Sequence, residues 1–281
     1  MALLAIDGDE PIHARLADEK KTYACIGCRA PVRIRKGVDR QPHFYHPRSA
    51  PSCRLYSKSQ DHALVQAALQ ALLPPGEALL EQPLLPILRI ADVLWEKRKL
   101  AFEIQCSDLT PYEVERRTED YAKARYQIVW LLHDKVFNRR TLRPAEPLLR
   151  QLPCYYVSIP RQGIPTFYDQ FELIEKEHRI KRIRRLKVHL NAPLYLTRPS
   201  WDPAQLPSQI LRRAASHPLY FKGDLIYKAT LAHRFTDIAF LMQNFCALER
   251  LYLNNRSSKL KNLMGKLKSK IQGWMNKGSQ Q

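Results

Sequence analysis

The sequence predicts a mixed α/β protein with three parts. A cysteine and histidine cluster indicates a small metal-binding module in residues 1–57, and helix-like and strand-like segments in an α/β order indicate a mixed sheet in residues 58–140. Residues 141–281 are basic and have mainly helical periodicity. With 281 residues the chain is long enough for two or three such units. We take these ranges as the predicted domains.

The N-terminal module contains Cys25-x2-Cys28, then two histidines, and then Cys53. Two cysteines at this spacing can direct their thiolates to one Zn²⁺, and a histidine with a third cysteine completes a tetrahedron. The intervening "PVRIRKGVDRQPHFYH" is typical of a hairpin that turns near Lys36 and Gly37, as in a zinc ribbon. Because the segment has few large apolar residues, we expect the zinc to supply folding energy.

Two details of this module stay open from the residues alone. In an extended "HFYH", His43 and His46 point to opposite faces, and His46 is favoured as the ligand because it lies at the end of the strand before Pro47. The hairpin also carries three cations that either contact phosphates or form a solvated turn. They are Arg33, Arg35 and Lys36.

The central region alternates in a defined order. A helix is predicted over "SKSQDHALVQAALQALL", ended by Pro74-Pro75-Gly76. Thr110 and Pro111 suit the N-cap and N1 positions of a second helix. The strand-like runs are "EALLEQPLL", "ILRIADVLW" and "KLAFEIQC" between the helices, and "QIVWLLH" after the second helix. A strand after a helical crossover can lie parallel to its neighbour, so the expected sheet is mixed.

Two carboxylates lie within these apolar runs. If the second and third strands turn near residues 97–98, paired residue numbers sum to about 195, which sets Asp92 against Glu103. Bare carboxylates so close would repel, and a shared Mg²⁺ or Mn²⁺ removes that conflict. Such a cation can activate water for phosphodiester cleavage. Gln105 points to the same face and could orient water or bind the cation through its carbonyl.

The alternative for these carboxylates is an ordinary buried ion pair. Arg89, Arg116 and Arg117 are the candidate partners for Asp92 or Glu103.

The C-terminal region and the overall charge indicate a polyanionic partner. The formal net charge is +19, which favours nucleic acid, with solubility or anionic lipid as the alternatives. "FELIEKEHRIKRIRRLKVHL" is interpreted as a basic helix whose candidate phosphate ligands are Lys181, Arg182, Arg184 and Arg185. The sequence shows neither a membrane span nor a signal peptide, so we expect a cytoplasmic protein.

The ordered set "YACIGC", "HFYH", "SQDH", "RIADVL", "FEIQCS", "RRTEDY" and "IVWLL" resembles the CoiA competence-protein family over roughly residues 20–135. That family is similar to the PD-(D/E)xK nucleases, whose restriction-endonuclease-like core has the order helix, three strands, helix, strand. The resemblance implies a role in natural transformation, where incoming DNA is processed for recombination, with recombination proteins as further partners.

The resemblance also assigns roles to residues. Asp92 matches the metal-binding aspartate, Glu103 matches the acidic residue of the (D/E)xK element, and Gln105 occupies its lysine position. His62 matches the recurrent helix histidine, as base or ligand. Weaker candidates are Asp61 and Glu81 as further carboxylates and Arg117 as a residue that braces Glu103 or holds a phosphate.

Two functions follow from this set. The first is a Mg²⁺- or Mn²⁺-dependent deoxyribonuclease that acts on single-stranded or double-stranded DNA. The second is a catalytically inactive nuclease fold that binds DNA or loads a recombinase. The glutamine at the lysine position leaves open which residue activates the attacking water.

Overall fold

The structure, a computed structural model, divides into two compact units. The first comprises residues 1–139 and 143–168, and the second comprises residues 140–142 and 169–281. The described residues are 2–37, 40–50, 53, 59–197, 206–232 and 236–254. The basic tail from residue 255 onward therefore lies outside them.

The N-terminal part of the first unit is a five-stranded sheet of order β2-β1-β3-β4-β5. Its strands are β1 (Leu4–Asp7), β2 (Glu10–His13), β3 (Tyr23–Ala24), β4 (Pro31–Gly37) and β5 (Arg40–Tyr45). The expected hairpin is present as the antiparallel pair β4 and β5, with its tip at residues 38–39 outside the described residues. Tyr23 and Phe44 pack edge to face in a core made largely of alanine and cysteine side chains. So small a core agrees with the expected need for a metal.

The central part confirms the predicted order of helix, three strands, helix and strand. The elements are α1 (Gln60–Leu72), β6 (Ala78–Leu84), β7 (Arg89–Trp95), β8 (Leu100–Gln105), α2 (Pro111–Lys123) and β9 (Gln127–His133). Strands β6, β7 and β8 are antiparallel neighbours, whereas β8 and β9 are parallel. After β9 come the short helices α3 (Asp134–Phe137) and α4 (Glu146–Leu149), and then β10 (Cys154–Ser158), which is parallel to β9.

Local sequence explains where the two main helices begin. The Ser59 hydroxyl accepts a hydrogen bond from the His62 amide, which fixes the first turn of α1. Thr110 accepts from the Glu113 amide at 3.2 Å, and Pro111 occupies the first turn of α2. Apolar side chains of β8 and β9, which include Phe102 and Trp130, are fully buried in the sheet. The capped helix starts thus place the polar residues of α1 and α2 at defined positions along this sheet.

The second unit contains both strands and helices. Strand β11 (Thr166–Glu175) begins in the first unit and continues into the second, where β12 (His178–Lys187) is its neighbour. The remaining elements are β13 (His189–Tyr195), α5 (Ser208–Ser216), β14 (Leu219–Lys222), α6 (Leu225–Leu231) and α7 (Thr236–Asn254). A core centred on Phe171, Ile210 and Phe245 joins the helices to the strands of this unit.

The prediction of a basic helix over residues 171–190 is wrong, because this stretch forms the second half of β11, all of β12 and the start of β13. The chain reverses at Lys176, where φ is +55°, and joins the two strands as a hairpin. Within β12, Arg179 is buried on one alternation and Leu186 on the other, with a positive φ of 39° at Arg184 between them. That irregularity interrupts the period of two, so the sequence shows no regular strand pattern.

The description of residues 141–281 as mainly helical therefore needs correction for the part that the structure describes. The three-part domain division stays a prediction. No helix within the described residues is both long and apolar enough to cross a bilayer.

Candidate metal centre and nuclease-like site

The side chains of Cys25, Cys28, His46 and Cys53 meet at one point of the N-terminal module. Their ligand atoms all lie within 4.8 Å of one another. The sulfurs of Cys25 and Cys53 are 3.6 Å apart, and Cys28 Sγ is 3.3 Å from His46 Nε2. Sulfurs bound to one tetrahedral zinc are about 3.8 Å apart, given Zn–S bonds of about 2.3 Å. The donor set therefore fits a metal such as zinc.

Backbone geometry around Cys25 brings the two sulfurs of the Cys-x2-Cys pair together. The Cys25 amide donates to the Ala30 carbonyl, and the Arg29 amide donates to the Cys25 carbonyl, both at 2.8 Å. Arg29 has a φ of +60°, which closes the turn, and the Gly27 amide points to Cys25 Sγ at 3.4 Å. His46 follows directly after β5, whose pairing with β4 carries it back to this turn.

The protonation of the thiols differs within this cluster. Burial and, by a smaller amount, the neighbouring Cys53 raise the pKa of Cys25 to about 12. Burial tends to raise the pKa of Cys28, but hydrogen bonds with the Ala30 backbone, Cys53 and Cys25 together lower it more. Burial also lowers the pKa of His46, which favours the neutral imidazole that a metal needs. Binding a divalent ion would release the remaining thiol protons.

The other residues predicted for this module lie elsewhere on it. His43 is on β5 opposite Arg35 and is almost fully buried, outside the four-residue group. Arg33, Arg35 and Lys36 are exposed on β4. Arg35 stacks on the Tyr45 ring at 4.5 Å, and Lys36 Nζ donates to the Ala17 carbonyl at 2.7 Å. Contacts within the module therefore fix two of the three hairpin cations, Arg35 and Lys36.

The Asp92 carboxylate lies where the pairing of β7 with β8 ends. The register pairs Val93 with Phe102 and Leu94 with Ala101. Asp92 and Glu103 occupy the next position of this register, as residue counting predicts. Asp92 Oδ2 accepts a hydrogen bond from the Ile104 amide at 2.8 Å. The Asp92 side chain thus accepts the hydrogen bond that a backbone carbonyl of β7 would otherwise accept from β8.

Helix α1 supplies the second contact of this aspartate. His62 Nε2 lies 3.0 Å from Asp92 Oδ2, and both side chains are more than nine-tenths buried. Gln66, one turn further along α1, donates from Nε2 to the Asp92 carbonyl at 2.9 Å. His62 is therefore a buried partner of Asp92 and not a surface histidine of the helix.

Both carboxylate oxygens of Glu103 are held by α2. Arg117 Nη1 lies 2.6 Å from Glu103 Oε2, and the Tyr121 hydroxyl donates to Oε1. Burial and the carboxylate of Glu103 raise the pKa of Tyr121 well above its usual value, so it remains a hydrogen-bond donor. Burial tends to lower the pKa of Arg117, but the carboxylates of Glu103 and Glu113 raise it more, so the guanidinium stays charged.

This arrangement matches the ion-pair alternative for Glu103, with Arg117 as its partner. Arg89 instead pairs with Glu113 and Asp120, and Arg116 stacks on Tyr112. The hydroxyl of Tyr121 is a contact that the sequence did not reveal, because a tyrosine at this helical spacing is also typical of core packing. A metal at Glu103 would compete with Arg117 or Tyr121 for an oxygen.

Gln105 and Glu81 are at the two margins of this region. Gln105 is buried at the end of β8, and its Nε2 donates to the Ser107 carbonyl at 2.8 Å. Glu81 is fully buried in β6 with a φ of +48°, and its Oε2 accepts from the Leu4 amide of β1 at 3.0 Å. Glu81 therefore connects the core sheet to the N-terminal module.

Comparison with known protein families agrees with this geometry. Residues 59–152 match the family model "Competence protein CoiA, nuclease-like domain", and residues 9–56 match "Competence protein CoiA, N-terminal domain". The chain belongs to the competence protein CoiA family. No curated protein and no solved structure gave a match to the chain. The CoiA resemblance read from the motifs is thus confirmed, and with it a nuclease-like domain in a competence-associated protein.

The basic residues predicted to contact nucleic acid in the second unit of this CoiA-family chain lie on a strand. Arg182, Arg184 and Arg185 are exposed on β12, and Lys181 is half-buried. A strand places neighbouring cations closer to one line than a helix does, and an extended basic line suits a phosphate backbone. The contact with nucleic acid stays a prediction.

Proposed function

We propose that this CoiA-family protein hydrolyses phosphodiester bonds in DNA taken up during natural transformation, with Mg²⁺ or Mn²⁺ held by Asp92 and Glu103. The observation that carries the proposal is the Asp92 carboxylate at the end of the β7–β8 ladder, bound to His62 and next in register to Glu103. Carboxylate oxygens on adjacent strands are the ligands that these cations prefer. The match to a nuclease-like domain supports the same reading.

The chain's own residues would divide the work as follows. The cation, when bound, supplies an acidified water and stabilises negative charge on the phosphate. His62 fixes the orientation of the Asp92 carboxylate. Gln105, the last residue of β8, would orient a water. Arg117, already between Glu103 and Glu113, can exchange its carboxylate for a phosphate oxygen once Glu103 binds the cation.

The N-terminal module and the second unit would hold the DNA strand. We assign the Cys25, Cys28, His46 and Cys53 cluster to a structural Zn²⁺ that maintains the β4–β5 hairpin and its cations. The exposed arginines of β12 supply a second set of phosphate contacts. Contacts of this kind are independent of base sequence and weaken steeply with salt.

One observation favours a second candidate, a DNA-binding protein without nuclease activity that serves recombination proteins. Both oxygens of Glu103 are occupied by Arg117 and Tyr121, and a glutamine stands where the nucleases have a lysine. In that case Asp92, His62 and Glu103 would be structural, and the cationic surfaces would carry the function.

Cleavage assays with matched variants separate the two candidates. The wild-type chain should degrade a labelled oligonucleotide with Mn²⁺ or Mg²⁺, and not with EDTA. Glu103→Gln should abolish cleavage while the chain remains folded at the assay temperature, and Glu115→Gln, on the exposed face of the same α2, should leave cleavage intact. Salt-sensitive DNA binding without wild-type cleavage in either metal would favour the non-catalytic candidate, and cleavage that survives Glu103→Gln would remove Glu103 from the mechanism.

A further inference from the structure

A second histidine–carboxylate pair lies beside the one formed by His62 and Asp92. His133 is the last residue of β9, is only 4% exposed, and has its Nδ1 3.8 Å from Asp61 Oδ2. Asp61 precedes His62 in the first turn of α1. The distance is that of an ion pair and is too long for a hydrogen bond.

The contacts of the His133 side chain within the described residues do not account for the burial of its Nε2. Although His133 is the residue before α3, its imidazole makes no capping hydrogen bond. Its Nε2 is buried and finds no hydrogen-bond partner among the described residues. A buried polar atom of this kind is costly unless something binds it. An unpartnered ring nitrogen backed by a carboxylate on the other nitrogen is the arrangement of a general base.

Topology places His133 at the carboxyl end of β9, on the α1 face of the sheet where His62 contacts Asp92, whereas Glu103 and Gln105 point to the α2 face. Strands β8 and β9 are parallel and pair Gln105 with Leu132, so Cys106 and His133 follow at the same level. The carboxyl ends of parallel strands meet at one edge, where α/β proteins bind ligands. Cys106 is influenced by the carboxylates of both histidine pairs. Burial raises the pKa of its thiol to about 12, and the charges of Asp61 and Asp92 contribute smaller increases.

We infer that His133, oriented by Asp61, is the base that takes a proton from the attacking water. The inference rests on the proposed nuclease function, and it answers the question that Gln105 raises by standing at the lysine position. No feature of the sequence singled out His133, which reads as the end of a buried strand.

The proposed step balances without any further reactant. One O–H bond of water breaks and its proton moves to His133 Nε2, while the water oxygen forms a bond to phosphorus. The P–O ester bond breaks, and its electron pair stays on the leaving oxygen, which takes a proton from solvent. His133 then returns its proton to solvent, and the imidazole is neutral again.

The charges around His133 set the direction of the pH dependence. Burial lowers the pKa of His133, Asp61 and Asp134 raise it by smaller amounts, and Lys135 lowers it. The base is therefore neutral and active at neutral pH, and the cleavage rate should fall as the pH drops through its pKa. Removing the Asp61 charge takes away a contribution that raises the pKa, so the acid limb should move to lower pH.

The test is the pH profile of Mn²⁺-dependent cleavage for the full chain and two variants. His133→Asn should lower the rate constant on the order of 100-fold or more and remove this acid limb, because general-base catalysis contributes at least that much. Its affinity for the oligonucleotide should stay unchanged. His178→Asn, an exposed histidine of the second unit, serves as the control and should leave rate and profile as in the wild type.

Asp61→Asn keeps the test decisive if His133→Asn does not fold. The Asp61 side chain is 43% exposed, and the amide preserves its shape. The variant should fold, cleave more slowly and show its acid limb displaced to lower pH, a change that a merely structural role would not produce.

The possible results separate this inference from the proposed function. Cleavage that requires Glu103 but keeps its rate in His133→Asn, or keeps its acid limb unmoved in Asp61→Asn, overturns the role of His133 and leaves the nuclease proposal standing. Absence of wild-type cleavage with either metal overturns both. Loss of rate in His133→Asn, together with the displaced limb in Asp61→Asn, supports the base.

Discussion

The Cys/His cluster and the carboxylate cluster lie in the same unit but differ in how their ligand atoms are held. Four ligand atoms of Cys25, Cys28, His46 and Cys53 face one point within 4.8 Å. At the other cluster, Asp92 and Glu103 are each engaged by a protein cation or donor. Across the part of the chain that the structure describes, the carboxylates do not form a comparable group of three or more converging ligands.

This difference separates the Cys/His cluster, whose donor set fits a metal, from the proposed catalytic site. The thiols have so small a core around them that a metal is the main candidate to stabilise the module. The carboxylates belong to a well-packed sheet, in which Arg117 and Tyr121 bind both oxygens of Glu103. A cation at Glu103 must therefore displace a protein partner, whereas a cation at the thiols displaces only protons.

The largest expected effect is the loss of the thiol site. Cys25→Ser should reduce bound zinc from about one ion per chain to none and unfold the N-terminal module, since structural zinc contributes about 10–16 kcal/mol in small zinc domains. Metal analysis and limited proteolysis measure these two effects. The control is Cys246→Ser, which replaces a buried cysteine of the second unit and should leave the zinc content at about one ion per chain. One zinc per chain in Cys25→Ser would refute the ligand set.

The second effect concerns the arginine at the carboxylate cluster. Arg117→Met should lower the free energy of unfolding by about 3 kcal/mol, because it leaves the buried Glu103 carboxylate without its cation. Mn²⁺ should restore more stability to this variant than it adds to the wild type if Glu103 is a metal ligand. Thermal unfolding with and without Mn²⁺ measures both quantities.

Arg116→Met is the matched control for that experiment. Arg116 is exposed on the same helix and stacks on Tyr112, so its loss should cost less than about 0.5 kcal/mol. An Arg117→Met variant that is as stable as this control, or that gains nothing from Mn²⁺, would count against a cation at Glu103.

A smaller effect is expected from the tyrosine of the same cluster. Tyr121→Phe removes a buried hydrogen bond to a carboxylate and should cost about 1.5–3 kcal/mol. It also releases one Glu103 oxygen, so Mn²⁺ should bind more tightly, as isothermal titration would measure. Tyr126→Phe, which removes a similar bond to the exposed Glu96, should change stability far less. Weaker Mn²⁺ binding in Tyr121→Phe would show that the hydroxyl positions the glutamate for the metal.

The smallest effect lies on the basic strand of the second unit. Replacing both Arg182 and Arg184 by glutamine should reduce the slope of log affinity against log salt by roughly 1.4 for single-stranded DNA, because two phosphate contacts are lost. Fluorescence anisotropy across a salt series measures the slope. An unchanged slope would remove β12 from the DNA-binding surface.

Local chemistry made most of the first unit predictable. Thr110 and Pro111 mark the start of α2, and the turn near residues 97–98 gives the register in which Val93 faces Phe102. Both signals are short-range, so they are readable from the sequence. The Cys25-x2-Cys28 spacing is equally local, and with His46 and Cys53 it led to the same four residues that meet in the fold.

The features that sequence reasoning missed depend on contacts between distant elements. The partners of Glu103 come from α2, and Asp61 faces His133 across 72 positions of the chain. In β12, the positive φ at Arg184 shifts the alternation of buried and exposed side chains. Pairing with the neighbouring β11 makes this segment a strand, although its charge pattern suggested a helix. Tertiary pairing overrides local propensity at such places.

The most direct test of the central claim is a crystal of the full chain soaked in Mn²⁺, with the anomalous signal located. If both carboxylates bind the cation, Mn²⁺ lies between Asp92 and Glu103, and Arg117 or Tyr121 has moved off the glutamate oxygen that it now holds. A fully soaked crystal in which Glu103 keeps both protein partners and no Mn²⁺ lies beside Asp92 would contradict it.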